Sequence, residues 1–199
     1  MGILQKLLRR KPETAEEPPM TALSVLEELH QGRHRDYCLY LRPPTYVGTA
    51  PQQPAAELES LIISAFAPLV VLPVEPASPP IPEEAFVTLA DSARVLWVVP
   101  VNSSAFYGQL KLLRDKGQLY RCIFLMPENG TFGGNDWPSA WAAARTKAAE
   151  LGIEFSAYTA GGWLFRIDKD GKACTFRPIA NPNVEKIARA LEAICEQMQ

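Results

Sequence analysis

Residues 94–113 decide the fold of this chain, and they read Arg-Val-Leu-Trp-Val-Val-Pro-Val-Asn-Ser-Ser-Ala-Phe-Tyr-Gly-Gln-Leu-Lys-Leu-Leu. A continuous apolar run opens the stretch, and apolar residues on one helical side close it: Phe106, Leu110 and Leu113. Small polar residues separate the two parts: Asn102, Ser103 and Ser104. This order predicts a buried strand, a loop and a helix capped by a serine. Because ligands of open α/β sheets bind beyond the carboxyl ends of the strands, any small-molecule site is expected at this loop.

The pattern of strand followed by helix recurs on both sides of this stretch. Apolar runs predict strands at 37–41, 69–72, 95–99, 122–126 and 154–158, and amphipathic segments predict helices at 21–29, 55–66, 83–91, 104–116, 139–151 and 183–198. Two more β-rich runs, at 163–167 and 173–177, flank an Asp-Gly turn signal. The chain is therefore expected to be an α/β protein. Its predicted architecture is a doubly wound, mainly parallel five-stranded sheet of flavodoxin-like type, with a C-terminal β-hairpin and helix.

Length and composition favour a single domain at 21–199, because 199 residues with 47% hydrophobic content are enough for one core. Residues 1–20 form a basic amphipathic N-terminal segment and a linker. Residues 1–11 are typical either of a weak contact with an anionic membrane surface or a partner, or of a frayed terminus. The net charge of -2 gives no attraction to nucleic acid, so no nucleic-acid partner is expected.

The cysteines and histidines give no sign of a metal site. The four cysteines form no C-x-x-C pair: Cys38, Cys122, Cys174 and Cys195. Cys38 and Cys122 lie in apolar runs, where a free cysteine behaves as a small hydrophobe. His30 and His34 lie four residues apart without a third ligand, so we predict no metal and no required cofactor. Because neither a secretory signal nor a membrane-spanning apolar run is visible, a cytoplasmic location is expected.

Several common motifs of α/β proteins are missing from the sequence. The chain has no phosphate-binding Gly-x-x-x-x-Gly-Lys-Ser/Thr, no dinucleotide-binding Gly-x-Gly-x-x-Gly and no Gly-x-Ser-x-Gly nucleophile elbow. The first predicted strand ends in Arg42 and prolines, where a phospho-receiver carries acidic residues for magnesium. These absences argue against a P-loop protein, a Rossmann-type dinucleotide-binding protein, an α/β-hydrolase and a phospho-receiver.

Three features, taken in order, resemble the bacterial TIR-like domain family. The first strand runs into Tyr-Leu-Arg-Pro at 40–43, and the third strand and its helix read Val-Pro-Val-Asn-Ser-Ser-Ala-Phe-Tyr-Gly-Gln-Leu at 99–110. The fourth strand closes with Phe-Leu-Met-Pro at 124–127. The resemblance covers residues 37–193, and the order of the three features carries it more than any single motif.

The family's best-known activity is cleavage of the nicotinamide–ribose bond of NAD. A carboxylate supports this reaction because the transition state carries oxocarbenium-like positive charge. By the register of the resemblance, the catalytic glutamate falls on Gln109, whose amide can bond a ribose hydroxyl but carries no charge. Losing one such contact commonly lowers the rate on the order of a hundredfold or more. The chain departs from the family in three more places. Gly108 stands where many bacterial relatives carry tryptophan, and the loop after Arg42 lacks the acidic residue common in the group. The helix at 83–91 lacks the usual Asp-x-x-Trp spacing.

The resemblance implies a set of candidate site residues. Those expected to contact NAD or a related nucleotide follow the first and third strands: Arg42, Thr45, Asn102, Ser103, Ser104 and Tyr107. The catalytic position is Gln109, or Glu128 if the register is shifted. Structural roles compete with these assignments: a surface ion pair for Arg42, a helix cap for Ser104 and packing for Tyr107. Gly161 and Gly162 indicate either a close backbone approach or a simple turn.

Four interpretations follow from this departure at the catalytic position. The chain is a natural pseudoenzyme that binds NAD or partner proteins, an active-site variant that traps substrate, an enzyme acting through Glu128, or a protein that shares only the fold. We expect a catalytically impaired or non-catalytic TIR-like module that binds a nucleotide, self-associates or binds a protein partner. The resemblance implies a setting in bacterial defence or stress signalling. The alternative is an NAD glycohydrolase.

Overall fold

The computed structural model describes residues 20–41, 53–67, 69–74, 81–100, 103–129 and 136–196. For residues 53–59 it describes the backbone and not the side chains. The predictions for residues 1–19, Arg42, Thr45 and Asn102 lie outside the described residues. No helix in these ranges is long and apolar enough to cross a lipid bilayer.

Helices and strands alternate along most of the described chain. The helices are α1 (Ala22–His30), α2 (Gln53–Phe66), α3 (Glu83–Ser92), α4 (Ser104–Asp115), α5 (Trp137–Glu150) and α6 (Val184–Glu196). The strands are β1 (Tyr37–Leu41), β2 (Val70–Val74), β3 (Val95–Val98), β4 (Cys122–Met126), β5 (Trp163–Ile167) and β6 (Ala173–Pro178). A short 3₁₀ turn, Leu119–Arg121, precedes β4. The predicted alternation of strand and helix is confirmed for the first four strands.

The strands form one six-stranded mixed sheet in the order β2-β1-β3-β4-β5-β6. The first four strands are mutually parallel, whereas β5 runs antiparallel to β4 and β6 antiparallel to β5. The fold is therefore α/β, but the prediction of a five-stranded, mainly parallel sheet is wrong in its strand count. The predicted C-terminal hairpin exists as β5–β6, and it extends the main sheet.

The fifth strand predicted at 154–158 is also wrong. Only Glu154 makes a bridge in this segment, to Lys172, while β5 occupies the edge of β4 by pairing Phe165 with Phe124. Phe155 is buried, its ring centroid lies 5.5 Å from that of Phe124, and it belongs to the same apolar core as Leu39 and Trp141. Its apolar pattern thus reflects an aromatic cluster and not a strand ladder.

Alternate residues of the strands supply two separate apolar cores. Tyr37 and Leu39 of β1 belong to the core that α1, α3, α4 and α5 cover. Cys38 and Tyr40 belong to the core that α2 and α6 cover. Because successive strand residues point to opposite faces, the sheet carries helices on both sides, as the sequence pattern predicts.

Both outer strands of the sheet carry an interruption. Pro73 lies within β2 and is exposed, and a proline has no N–H to donate to a further strand. In β6, Thr175 has a φ of 53°, and the register against β5 shifts between Leu164 and Arg166. The described chain therefore presents no regular outer strand.

The end of the sheet where β1, β3 and β4 begin, here called the amino edge, is closed by paired polar groups. The Arg121 guanidinium donates to the carbonyl oxygens of Ala90, at 3.0 Å, and Ala93, at the end of α3. It also donates to Oε1 of Gln118 at 2.7 Å, while Nε2 of Gln118 donates to the Asp91 carboxylate. These bonds satisfy carbonyl groups that a helix end leaves without partners.

Two glycines join the β5–β6 turn to the end of α5 at the same edge. Gly171 has a φ of +84°, and a β-carbon there would lie 2.4 Å from the carbonyl oxygen of Gly152. The backbone N–H of Glu154 donates to the Gly171 carbonyl at 2.7 Å. Only a residue without a side chain fits this contact, so Gly171 is a structural requirement of the turn.

Candidate functional site

The opposite end of the parallel strands, here called the carboxyl edge, contains the start of α4. Ser103 is the N-cap of this helix, and its hydroxyl accepts a hydrogen bond from the Phe106 N–H at 3.1 Å. The alternative role of helix cap that the sequence suggested for Ser104 is therefore wrong, because Ser104 is already helical and exposed. The cap belongs to Ser103 because the helix begins at Ser104, one residue earlier than a cap at Ser104 would allow.

Three buried polar atoms without a hydrogen-bond partner lie within one short part of the described chain. They are Nε1 of Trp97 in β3, the hydroxyl of Tyr107 and Oε1 of Gln109 in α4. Leaving a buried donor or acceptor unpaired costs about 1–3 kcal/mol, so such groups often mark a site for a ligand or water. All three fall inside residues 94–113, but Trp97 belongs to the core that α2 and α6 cover, whereas Tyr107 packs against the core on the other face of the sheet. Only Tyr107 and Gln109, in α4, are therefore candidates for the predicted site.

Tyr107 and Gln109 occupy opposite flanks of the buried stripe of α4. Their side chains leave the helix about 200° apart, since successive residues turn by about 100°. Tyr107 faces α5, because its hydroxyl lies within electrostatic reach of the Glu150 carboxylate at the end of that helix. Burial, and to a smaller extent Glu150, raise the pKa of Tyr107 to about 12. Gln109 therefore lies on the flank toward α3, the other helix that contacts α4. The two candidates do not converge on one ligand atom.

The chemistry of Gln109 is that of a hydrogen-bond acceptor held out of water. Its side chain is partly buried, and its Oε1 atom has neither solvent nor a protein donor. An amide oxygen there can accept a hydrogen bond from a hydroxyl or N–H of a ligand. A glutamate of the same shape at this position would add the negative charge that stabilises a cationic transition state.

Glu128 lies two residues after the end of β4 and is bonded to another turn of the chain. Its Oε2 atom accepts a hydrogen bond from the Asn181 N–H at 2.7 Å, and Asn181 has a φ of 49°. Gly162, with a φ of +66°, packs so closely that a β-carbon would lie 2.9 Å from the Glu128 nitrogen. The close backbone approach suggested by Gly161 and Gly162 is thus a contact between two segments of this chain.

Tyr158 is a neighbour of Glu128 that no sequence pattern indicates. Its hydroxyl donates to the Pro127 carbonyl at 2.9 Å. Burial, followed by the Glu128 and Asp136 carboxylates, raises the pKa of Tyr158 above its ordinary value. Two carboxylates and a phenol therefore lie near one another at the end of β4. Asn181 was missed in the same way, because its bond to Glu128 depends on a neighbour distant in sequence.

A cavity of about 470 Å³ lies at the amino edge, away from the predicted site. Arg114 and Asp168 line it. The Arg114 guanidinium is bonded to the Asp115 carboxylate and the Leu151 carbonyl, and the Asp168 carboxylate accepts two backbone N–H bonds. These two charged groups are already paired within the chain, and the lining also includes Lys169 and Asp170.

No cluster of three or more metal-ligating side chains occurs in the part of the chain that the structure describes. The chain matches none of the protein-family profiles, curated proteins or solved structures with which it was compared. The functional conclusion therefore depends on the site geometry and on the resemblance of the quoted motifs.

Proposed function

We propose that this chain is a TIR-like module that binds NAD or a related nucleotide at the carboxyl edge and lacks efficient catalysis because Gln109 stands at the catalytic position. The proposal includes a finer fold assignment, to the flavodoxin-like sheets of that family. Protein partners or a second copy of the chain are the other proposed ligands, in bacterial defence or stress signalling. The proposed location is the cytoplasm.

The observation that carries the proposal is the unpaired Oε1 atom of Gln109. A purely structural glutamine buried between helices is expected to bond its carbonyl oxygen within the chain, as Gln118 does with Arg121. Gln109 does not. A ribose hydroxyl is a suitable donor for this oxygen, and it would offset the cost of burying it.

The strand order gives secondary support. The parallel strands follow the order 2-1-3-4, which is the beginning of the flavodoxin-like order 2-1-3-4-5. In such sheets the ligand crevice lies beyond the carboxyl ends of the strands near β1 and β3. The antiparallel β5 is a departure from that order, so the sheet supports the proposal only over its first four strands.

The alternative function is NAD glycohydrolysis with Glu128 as the working carboxylate. Its support is the nearby pair of carboxylates, Glu128 and Asp136, which both act on the Tyr158 hydroxyl. Against it stands the bond from Asn181, which commits one Glu128 oxygen to holding a turn. We therefore place this alternative second.

The test is NAD consumption, with nicotinamide release as the readout, by the full chain and by Gln109→Glu at high protein concentration. We expect no turnover by the unsubstituted chain and turnover by the variant, higher by on the order of a hundredfold or more than any background. The matched control is Gln31→Glu, which makes the same change at an exposed residue after α1. NAD affinity is measured on all three proteins by calorimetry.

Each result separates the candidates. Turnover by the natural chain that disappears in Glu128→Gln supports the glycohydrolase, because glutamine keeps an oxygen to accept the Asn181 N–H while removing the charge. Neither turnover nor NAD binding in any of the proteins rejects the nucleotide proposal and directs attention to protein partners.

A further inference from the structure

Two free cysteines from opposite ends of the chain belong to or border one apolar core. Cys38 is the second residue of β1 and is fully buried, and Cys195 is the penultimate residue of α6. Cys38 belongs to the core that α2 and α6 cover, and Cys195 packs against that same core. Cys122, by contrast, belongs to the core on the other face of the sheet.

The direction of the elements brings the two thiols to the same end of that core. β1 begins at the amino edge, so Cys38 lies near it. Because β6 runs parallel to β4 through two antiparallel pairings, it ends at the carboxyl edge, and α6 then returns toward the amino edge. Cys195 therefore lies at the same edge, within electrostatic reach of Arg94 beside β3, Arg166 of β5 and Cys38 itself.

We propose that Cys38 and Cys195 form a disulfide under oxidising conditions and thereby fasten α6 to β1. The oxidant is a small disulfide such as oxidised glutathione. The Cys195 thiolate attacks one sulfur of that disulfide, and a mixed disulfide forms as one glutathione thiolate leaves. Cys38 then loses its proton and attacks the Cys195 sulfur, displacing the second glutathione. Two protein thiols are oxidised, and one small disulfide is reduced to two thiols.

Burial determines the order and the speed of these steps. Cys195 is partly exposed and reacts first, whereas Cys38 is sealed in the core and can react only with a sulfur delivered beside it. Burial raises the pKa of Cys195 to about 11, against a smaller lowering by Arg166 and Arg94. Only the thiolate attacks, so the first step is slow at neutral pH and accelerates about tenfold per pH unit toward that pKa.

The experiment incubates the intact chain with oxidised glutathione at pH 7, 8 and 9, quenches with acid and blocks remaining thiols. Non-reducing peptide mass spectrometry is expected to identify a link between Cys38 and Cys195, formed about tenfold faster for each pH unit. Cys174→Ala, a matched control in β6, retains the link. Cys195→Ala abolishes it and leaves Cys38 unmodified. The oxidised chain unfolds at a higher urea concentration than the reduced chain, and reductant reverses the difference.

Three results would overturn the inference. One is a chain in which Cys195 carries glutathione but never links to Cys38. Another is a link from Cys195 to Cys174. The third is modification of Cys38 in the folded Cys195→Ala variant, which would mean that the first strand's thiol is reached directly from solvent.

Discussion

The two edges of the sheet treat their buried polar groups in opposite ways. At the amino edge, Gln118 bonds both Arg121 and Asp91, and the Tyr37 hydroxyl donates to the Leu89 carbonyl at 2.6 Å. In the first turns of α4, which begins at the carboxyl edge, Tyr107 and Gln109 keep buried polar atoms without partners. The same residue types are thus fully bonded in one region and unpaired in the other.

This difference indicates that the paired groups stabilise the fold, whereas the unpaired groups are candidates for binding. Paired groups at the amino edge fix the end of α3 and the turn before β4, and they need nothing from outside the chain. Unpaired groups at the carboxyl edge reduce stability unless a ligand, a partner or water bonds them. Matched substitutions at the two edges are therefore expected to have unequal effects on the free energy of unfolding.

The largest effect is expected at the glycine contact of the amino edge. Gly171→Ala places a β-carbon against the Gly152 carbonyl and forces an L-residue to a φ of +84°. We expect a loss of about 3 kcal/mol in the free energy of unfolding, measured by urea denaturation, from the sum of left-handed strain and overpacking.

Gly108→Ala is the matched change in α4, toward the carboxyl edge. A β-carbon there meets nothing within 4 Å, and alanine is the better helix former by about 1 kcal/mol. This variant is expected to be more stable than the natural chain. Equal midpoints for the two glycine variants would contradict the close packing described for Gly171.

A second comparison concerns the two glutamines. Gln118→Met removes one partner from Arg121 and from Asp91, and we expect a loss of about 2 kcal/mol. Gln109→Met removes an unpaired oxygen and keeps the size of the side chain, so its stability should be unchanged or higher by up to about 1 kcal/mol. Urea denaturation of both variants measures the difference. A similar loss at both positions would mean that Gln109 is bonded in the folded protein and would weaken the proposed site.

The smallest expected effect comes from the tyrosines. Tyr37→Phe breaks a buried hydrogen bond and should cost about 1 kcal/mol, whereas Tyr107→Phe should cost nothing. Both variants are measured at pH 7, where each tyrosine is neutral. A measurable loss in Tyr107→Phe would reveal a partner for its hydroxyl.

The pH dependence of stability sharpens the same comparison. In the unfolded chain a tyrosine releases its proton near pH 10, whereas the pKa of Tyr107 is about 12 in the folded chain. The folded state thus binds the proton more tightly, and its contribution to stability is full below pH 10 and lost as the pH rises toward 12. Tyr107→Phe should make the decline above pH 10 shallower, as measured by denaturation at a series of pH values.

Local patterns were sufficient for the parallel half of the fold. The apolar runs before Arg42 and Pro127 are continuous because both faces of these strands are covered, and such runs are hard to mistake. The pattern failed around Phe155, whose burial comes from aromatic neighbours in other elements. It also failed to show that β5 would take the edge of β4, since strand pairing is decided by contacts distant in sequence.

The candidate site was predictable in position but not in detail. Small polar residues after β3 predict the site at the start of α4, and the serine cap expected there is present, at Ser103. Which serine caps the helix, which side of α4 Tyr107 faces and which oxygen lacks a donor all depend on tertiary neighbours. The bond between Glu128 and Asn181 joins residues 53 positions apart, and no local pattern indicates it.

The interruptions in the two outer strands have a consequence for assembly. Pro73 in β2 and the left-handed Thr175 in β6 prevent either side of the sheet from acting as a regular template for a further strand. Copies of this chain are therefore poorly suited to joining their sheets into a continuous ribbon.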